Sequence, residues 1–445
     1  MLTRIVQQSP NLVTFFEGLE LPLTEPQMRH LINLTDGILA TDTEKTLAQI
    51  QRQFVEAPDP SNMADFLRLS PWPTAVVRQQ LQGFMVSIAV AIAEAKGDPK
   101  LILMAIDDSI AEKDKQTSRL ETVDWHYDHL ESTKKRPRYK KGMAFLVVHV
   151  LIGSVHLVFD VPISLRERTV RRVNRQRPRE NRVRFKSKYR LARQVLEALK
   201  PLLPRGWATY VLCDCWYTSR RLIRYVRRQG WHLIGRLKSN RKLDGVRIDQ
   251  RERALRHQRY TRVRVTATDN EQRTYLVRTL QGKLKDVPEE VRVWVSRGHH
   301  RDKRPVYLMS TDLDLEARTV FQWYRVRWWD EVDNFYLKEL LGLGDFRVQS
   351  YEAIERWVLT VLLAWNYVLW RKAEGELAAW QKQQAAQEET VQAPRPLSIC
   401  PADLIRQHRE EHTIAWLREA CQMAIELGQV EPVLKHFLRL SEVPP

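Results

Sequence analysis

The sequence predicts an α/β protein: a mixed sheet with helices on both faces, interrupted by a β-rich insertion and flanked by helical amino- and carboxy-terminal domains. Three observations carry this. Apolar residues recur three and four apart at both ends of the chain, the period of helices. Short β-rich apolar runs fill residues 101–237 and alternate with helical stretches in their later part. Finally, 116 residues separate Asp214, at a strand end, from Glu331, on a late helix, too many for a strand-helix-strand link.

In chain order, Met28–Leu39, Leu47–Phe54 and Ala75–Ala95 read as the helices of a domain over residues 1–98. Strands follow at Leu101–Ile106, Ala144–Ile152, Val155–Val161, Tyr210–Cys213 and His232–Leu237, with helices at Tyr189–Leu199 and Ser219–Arg228. These form the first part of a core, 99–243. An insertion over 244–303 is expected to be β-rich: Tyr260–Ala267, Arg273–Leu280 and Val291–Ser296 are rich in β-branched and aromatic residues, and the first and third alternate with period two. Val306–Ser310 is expected to return to the main sheet, opening the second part of the core, 304–372, which includes the apolar helix Ala353–Arg371. Residues 373–396, closing on Pro394-Arg395-Pro396, read as a linker, and 397–445 as a small helical domain.

Composition points to a polyanionic partner. Lys and Arg number 72 against 54 Asp and Glu, a formal charge of +18, and nucleic acid is the expected partner. No uninterrupted run of eighteen apolar residues and no basic-then-apolar leader is seen, so a cytoplasmic, nucleoid-associated protein without a membrane partner is expected. Four cysteines are too few for a disulfide framework, and Cys213-x-Cys215 lacks zinc-binding spacing. The histidines considered, His126, His149, His156 and the His299-His300 pair, suggest no zinc hydrolase, and no phosphate-cradling Gly-x4-Gly-Lys-[Ser/Thr] occurs.

Chemistry concentrates in three acids: Asp107 after the first apolar strand, Asp214 after Tyr210–Cys213, and Glu331 within Tyr324-x2-Arg327-x3-Glu331-x6-Lys338. A continuous α-helix advances about 100° per residue, so with Tyr324 at zero, Arg327, Glu331 and Lys338 fall near about 300°, 340° and 320°. Asp330 and Asp333 project near about 240° and 180°, outside that stripe. Asp108 competes with Asp107, but strand alternation points the two to opposite faces, and Asp107 follows the apolar run directly. Three carboxylates at such positions could hold two Mg²⁺ ions, with Mn²⁺ as a substitute. Asp107 would bridge both ions, and Asp214 and Glu331 would each complete one site.

Tyr324 through Lys338 resembles the Tyr-Arg-Glu-Lys signature of bacterial insertion-sequence DDE transposases. Ile106-Asp107-Asp108-Ser109 is similar to that family's first-acid motif, and Cys213-Asp214-Cys215-Trp216-Tyr217-Thr218-Ser219 to its second. Asp330 departs from the pattern, since many relatives carry an apolar residue there. The resemblance implies an RNase H-like core and a homodimer that binds the terminal inverted repeats of its element in double-stranded DNA. It also implies cleavage at the element ends and transfer of the freed 3′ ends to target DNA. It gives Tyr324, Arg327 and Lys338 contacts to end phosphates, and Trp294 in the insertion a place against a flipped base, with core packing as the alternative. Asp65-Phe66-Leu67-Arg68-Leu69-Ser70-Pro71-Trp72 resembles the segment that ends the family's amino-terminal domain, which helps bind the ends. Cleavage without strand transfer, or DNA binding without catalysis, are the competing readings.

Basic segments supply the expected DNA tracks. Residues 165–194 hold thirteen Lys or Arg against two Glu and read in their first half as a mobile loop or extended arm, with Arg171, Arg172, Arg175 and Arg177 as phosphate contacts. Lys238, Arg241 and Lys242 form a second cluster, and Arg297–Arg304 a third.

Overall fold

The computed structural model describes residues 5–56, 59–128, 131–133, 135–266, 272–299, 304–387 and 399–438. Five helices open the chain: α1 (Pro10–Gly18), α2 (Glu25–Ala40), α3 (Leu47–Gln51), α4 (Pro60–Arg68) and α5 (Thr74–Ala95). Their starts are written in side chains: Thr46 Oγ1 accepts from Gln49 N at 3.2 Å, and Asp59 from Ser61 N at 2.7 Å. Helix α5 has the length and mean hydropathy, 1.3, of a membrane span. Val77, Leu81, Met85, Val86 and Ala89 are instead buried in the protein core.

The central segment comprises β1 (Leu101–Glu112), β2 (Asp124–Tyr127), β3 (Tyr139–Ile152), β4 (Val155–Asp160), β5 (Ile163–Ser164), α6 (Glu167–Val173), α7 (Lys188–Leu199), β6 (Ala208–Cys213), α8 (Arg220–Arg228) and β7 (His232–Leu237). It continues with β8 (Lys242–Leu243), β9 (Val246–Arg247), α9 (Ile248–Ala254), β10 (Thr261–Thr266), β11 (Gln272–Lys283), β12 (Glu290–Arg297) and β13 (Val306–Ser310). Helices α10 (Ala317–Tyr324), α11 (Trp329–Phe335), α12 (Tyr351–Gln387), α13 (Pro401–Leu427) and α14 (Glu431–Leu438) complete the chain.

Eleven strands make one mixed sheet in the order β10-β11-β12-β13-β7-β6-β1-β3-β2, with β4 and β5 also paired to β3. The pairs β1·β6 and β6·β7 are parallel, while β1·β3 and β3·β4 are antiparallel. The expected insertion strands exist, and β13 returns to the main sheet by pairing with β7. They form no separate sheet: β10 to β13 extend the main one, because the antiparallel ladder passes unbroken from β13 to β10.

Alternation sorts the central strands onto two faces. Ile102, Met104, Ile106, Val211 and Cys213 join the larger core with α5, α7 and α12. Leu103, Ala105, Tyr210 and Leu212 join a smaller cluster with Trp294, Val320 and Phe321, under α10.

Two boundaries differ from those expected. Residues 373–387, assigned to a linker, continue α12, a 37-residue helix, and residues 388–398, including Pro394-Arg395-Pro396, lie outside the described residues. The amino-terminal helices share the larger core with the sheet and α12 instead of closing on themselves. Buried Trp357, Trp365 and Tyr367 of α12 supply the common surface, and each such side chain contributes on the order of 2–3 kcal/mol of hydrophobic stabilisation. Within this interface Trp72 stacks on Phe66 at 5.3 Å, donates to Phe66 O at 3.1 Å and lies under Arg356. That segment is a packing contact.

Candidate active site

Strand β1 runs on past Ile106 to Glu112, because β3 keeps pairing with it through Asp107↔Val147 to Glu112↔Gly142. The parallel ladder with β6 stops at Ile106↔Cys213. Asp107 and Asp214 are therefore the next residue on each of two neighbouring parallel strands. Extending the alternation places both on the face of the smaller cluster. Asp214 Oδ1 accepts the N–H groups of Trp216 at 2.8 Å and Tyr217 at 3.0 Å, so its carboxylate is held by the turn that follows. That turn packs over Gly235 of β7, where a Cβ would lie 2.3 Å from Thr218 Oγ1. Cys213, one residue earlier, is buried, and burial pushes its thiol up to about 12, leaving it an inert core group.

Asp108 faces the other way. It is paired with Lys188 at the start of α7 and accepts from the Tyr217 hydroxyl at 2.9 Å. Burial, then the Asp108 charge, pushes the Tyr217 phenol well above its ordinary range, so it stays a donor. Asp108 thus has a structural network of its own, whereas Asp107 meets Arg327: Nη1 lies 2.7 Å from Asp107 Oδ2.

The segment carrying Arg327 and Glu331 is not one continuous α-helix. It passes from α10 into a 3₁₀ turn, Arg325–Trp328, then α11, then a π turn, Tyr336–Leu340. The 3₁₀ turn advances roughly 20° more per residue than an α-helix, and the π turn advances less. The angular stripe computed for an ideal helix therefore does not apply. Tyr324, at the end of α10, donates to Cys213 O at 3.3 Å, beside Asp214, and burial pushes its phenol upward. Glu331 is exposed on α11. Lys338 is half-buried on the π turn.

Asp333, two residues beyond Glu331, is fully buried. Its Oδ2 lies 3.2 Å from His149 Nδ1 of β3 and 3.0 Å from His156 Nε2 of β4, and its Oδ1 accepts from Trp365 Nε1 at 3.1 Å. Burial alone would raise this carboxyl; the two imidazoles outweigh it and hold the group below its ordinary range. Burial lowers His156. This node clamps α11 to the sheet and to α12. Its members were legible only singly, since they come from three distant segments.

An exposed aromatic and basic patch adjoins Asp214. Trp216 is 45% exposed and parallel to Tyr189, with ring centres 6.5 Å apart, while Lys238 Nζ lies 5.6 Å from the Trp216 ring. The Tyr189 hydroxyl donates to Trp216 O at 2.8 Å. Arg241 is half-buried near Tyr189, and Lys242 is exposed. Trp216 was not singled out from the sequence, although it lies two residues after Asp214. Trp294, by contrast, is 2% exposed inside the smaller cluster. It has no open face for a base in this structure, and its place is that of core packing.

The 165–194 segment is folded, which corrects the expected loose arm. Helix α6 is anchored by buried Thr169, Val170 and Val173 and tied down by a two-pronged pair between Arg168 and Asp124. Arg177 turns inward to Glu121 at 2.7 Å and to Glu352, so it is not a free phosphate contact. Arg172 donates to Val123 O at 2.9 Å and Glu121 O at 3.2 Å. Arg171 and Arg175 remain exposed, Arg171 carrying only a surface pair with Glu167. Of the third basic cluster, residues 300–303 lie outside the described residues, and Arg297 pairs with Glu252 at 3.2 Å.

One prediction follows from the Asp124 node. Burial raises its carboxyl, but Arg168 and Thr169 outweigh that and hold it low. Its stabilising contribution is present above an unfolded value of about 3.9 and is lost as pH falls through the depressed folded value. Asp124→Asn is expected to cost about 1–2 kcal/mol at neutral pH, because Asp124 is buried but Arg168 is more than half exposed and solvent screens the pair. The gap from the parent protein should narrow below about pH 4 in acid unfolding followed by circular dichroism.

The donor set fits hard divalent cations. Asp107 already binds a cation through Oδ2, the Arg327 guanidinium, and Asp214 Oδ2 carries no hydrogen bond among the described residues. Oxygen ligands of this kind suit Mg²⁺. Among the described residues the clusters tight enough to enclose one ion are Asp36-His408-His412 and His149-His156-Asp333, neither of them the acid trio. The first contains a His-x3-His spacing, His408 to His412, that the histidine reading above misses.

Comparison with curated proteins returns no match. The model of a family described as DDE superfamily endonuclease matches residues 15–287, well over half of the 445-residue chain, and spans both Asp107 and Asp214 while ending before Glu331. With two neighbouring strand-end aspartates at its centre, the chain belongs to the DDE superfamily endonucleases.

Proposed function

We propose that this endonuclease is a DDE transposase of the Tyr-Arg-Glu-Lys type. In this reading it binds terminal inverted repeats, cleaves DNA at the element ends and transfers the 3′ ends to target DNA. The observation that carries the reading is Arg327 bound to Asp107, because it brings the signature segment onto the strand-end aspartate pair. Asp107, Asp214 and Glu331 would hold two Mg²⁺ ions, Mn²⁺ substituting. Such a pair activates a water or 3′-hydroxyl and stabilises the leaving oxygen. In this reading the Tyr324 bond to Cys213 O would orient the Asp214 side of the site, and Arg327, bound to Asp107, would contact an end phosphate.

The strand order β4-β3-β1-β6-β7, three antiparallel and then two parallel, supports an RNase H-like core. Helices at 1–98 would help bind DNA ends, the helices after residue 396 would bind either DNA or a second protomer, and the protein would act as a homodimer on DNA in the nucleoid. A labelled-end assay with Mg²⁺ and a target plasmid tests the function. Joined product supports transposition; cut product alone indicates a nuclease; a shifted complex with neither indicates a DNA-binding descendant.

Two expected outcomes concern DNA contact. Arg171→Ala with Arg175→Ala should leave thermal stability unchanged and reduce the salt slope of DNA binding by about 2. Arg177→Ala should instead destabilise the fold by unpairing Glu121 and Glu352. Trp216→Ala should weaken binding to frayed DNA ends by about 1–3 kcal/mol, read by fluorescence anisotropy, since stacking on an exposed ring is worth that much per base. An unchanged affinity would remove Trp216 from the interface.

A further inference from the structure

We propose that Asp36, His408 and His412 form a zinc site that pins helix α13 to helix α2. His408 and His412 are four apart on α13 and therefore about 40° apart around its axis. With Ile405 they make its buried face. Asp36 lies in α2 and is fully buried. His408 Nε2 lies 2.8 Å and His412 Nε2 2.7 Å from the same oxygen, Asp36 Oδ1.

Two imidazole nitrogens and one carboxylate oxygen, all within 4.8 Å of one another, supply the three-ligand protein set that zinc takes, with a water as fourth ligand. The borderline nitrogen donors select a zinc-like ion over Mg²⁺, which prefers oxygen. Outer partners fix the ligands. Asp36 Oδ2 accepts from Ser9 N at 3.2 Å, and His408 Nδ1 is 3.5 Å from the Tyr367 hydroxyl, which in turn accepts from Arg371 at 3.1 Å. Three ionisable groups in a helical interface cost stability that apolar side chains would not, unless something binds them.

The same interface has a second tie. Arg409, between the two histidines, donates to Leu39 O at 2.9 Å and Thr41 O at 2.7 Å, capping the end of α2. An ion held by the histidines would add to that tie and strengthen the hold of α13 on α2. The site uses none of the residues of the candidate active site, so it stands or falls independently of the transposase reading.

The test uses the full-length protein, stripped with a chelator and dialysed. Zinc content by atomic emission after reconstitution should reach about one ion per chain. Co²⁺ should give visible d–d absorption, and Zn²⁺ should raise Tm by roughly 2–8 °C. His408→Ala and His412→Ala should each abolish the Co²⁺ spectrum and the Tm rise. Two results would overturn the proposal: stripped parent protein that takes up no zinc and gains no stability, or zinc uptake and a Co²⁺ spectrum that persist unchanged in both variants, which would put the ion elsewhere. The first result needs no variant to fold.

Discussion

Asp107→Asn and Asp214→Asn are each expected to lower metal-dependent DNA cleavage by about a thousandfold or more, about 4 kcal/mol of lost transition-state stabilisation. Asparagine keeps the volume and removes the charge. Both positions sit where the parallel ladder of β1 and β6 ends, on one face of the sheet, so each substitution withdraws one ligand charge from the same spot. DNA affinity and Tm should change little, because the held oxygen of Asp214 accepts backbone N–H groups that an amide oxygen can also accept. Asp108→Asn is the control. It loosens the contacts to Lys188 and Tyr217, so it should cost stability while cleavage falls less than about tenfold. Single-turnover cleavage of a labelled end separates the cases. Equal loss in the Asp107 and Asp108 variants would sink the choice of Asp107.

Much of this site was legible from sequence for a plain reason: period-two alternation is rigid. Once Leu101–Ile106 reads as a strand, Asp107 and Asp108 must face opposite ways, and the structure gives them Arg327 and Lys188 respectively. The insertion was legible from the 116-residue gap and from runs rich in β-branched and aromatic residues, and Val306–Ser310 does return to the main sheet. Helical spacing carried less far. The segment from Tyr324 to Lys338 changes pitch three times, which no residue count reveals, because tight and wide turns are imposed by what the helix packs on. Charge patterning misled at 165–194 because long-range acids are invisible locally: Glu121, Asp124 and Glu352 absorb arginines that look free in sequence. The same limit hid the partners of both histidine clusters, since Asp36 and Asp333 come from other elements, although the His408-x3-His412 spacing itself stands in the sequence.

The second large effect is expected at Asp333. Asp333→Ala should destabilise the protein by about 3–5 kcal/mol, because removing one member of a buried ionic network leaves the others uncompensated. Here the stranded groups are His149 and His156 on neighbouring strands and the Trp365 indole N–H on α12. Asp333→Asn should cost less, since its amide oxygen can still accept one of those bonds. The consequence reaches the candidate active site, because α11 carries Glu331 only two residues earlier and that side chain is exposed. Its position therefore rests on what anchors the helix. Cleavage should fall in both variants at temperatures where each remains folded by circular dichroism, with the apparent affinity for DNA nearly unchanged. Added Mg²⁺ should restore part of the rate if the loss comes from a displaced Glu331 ligand, and none of it if the loss comes from a wider disturbance of the folded site. A variant that loses several kcal/mol in urea unfolding yet cleaves at the parent rate would separate this buried node from the site and leave it a purely structural clamp.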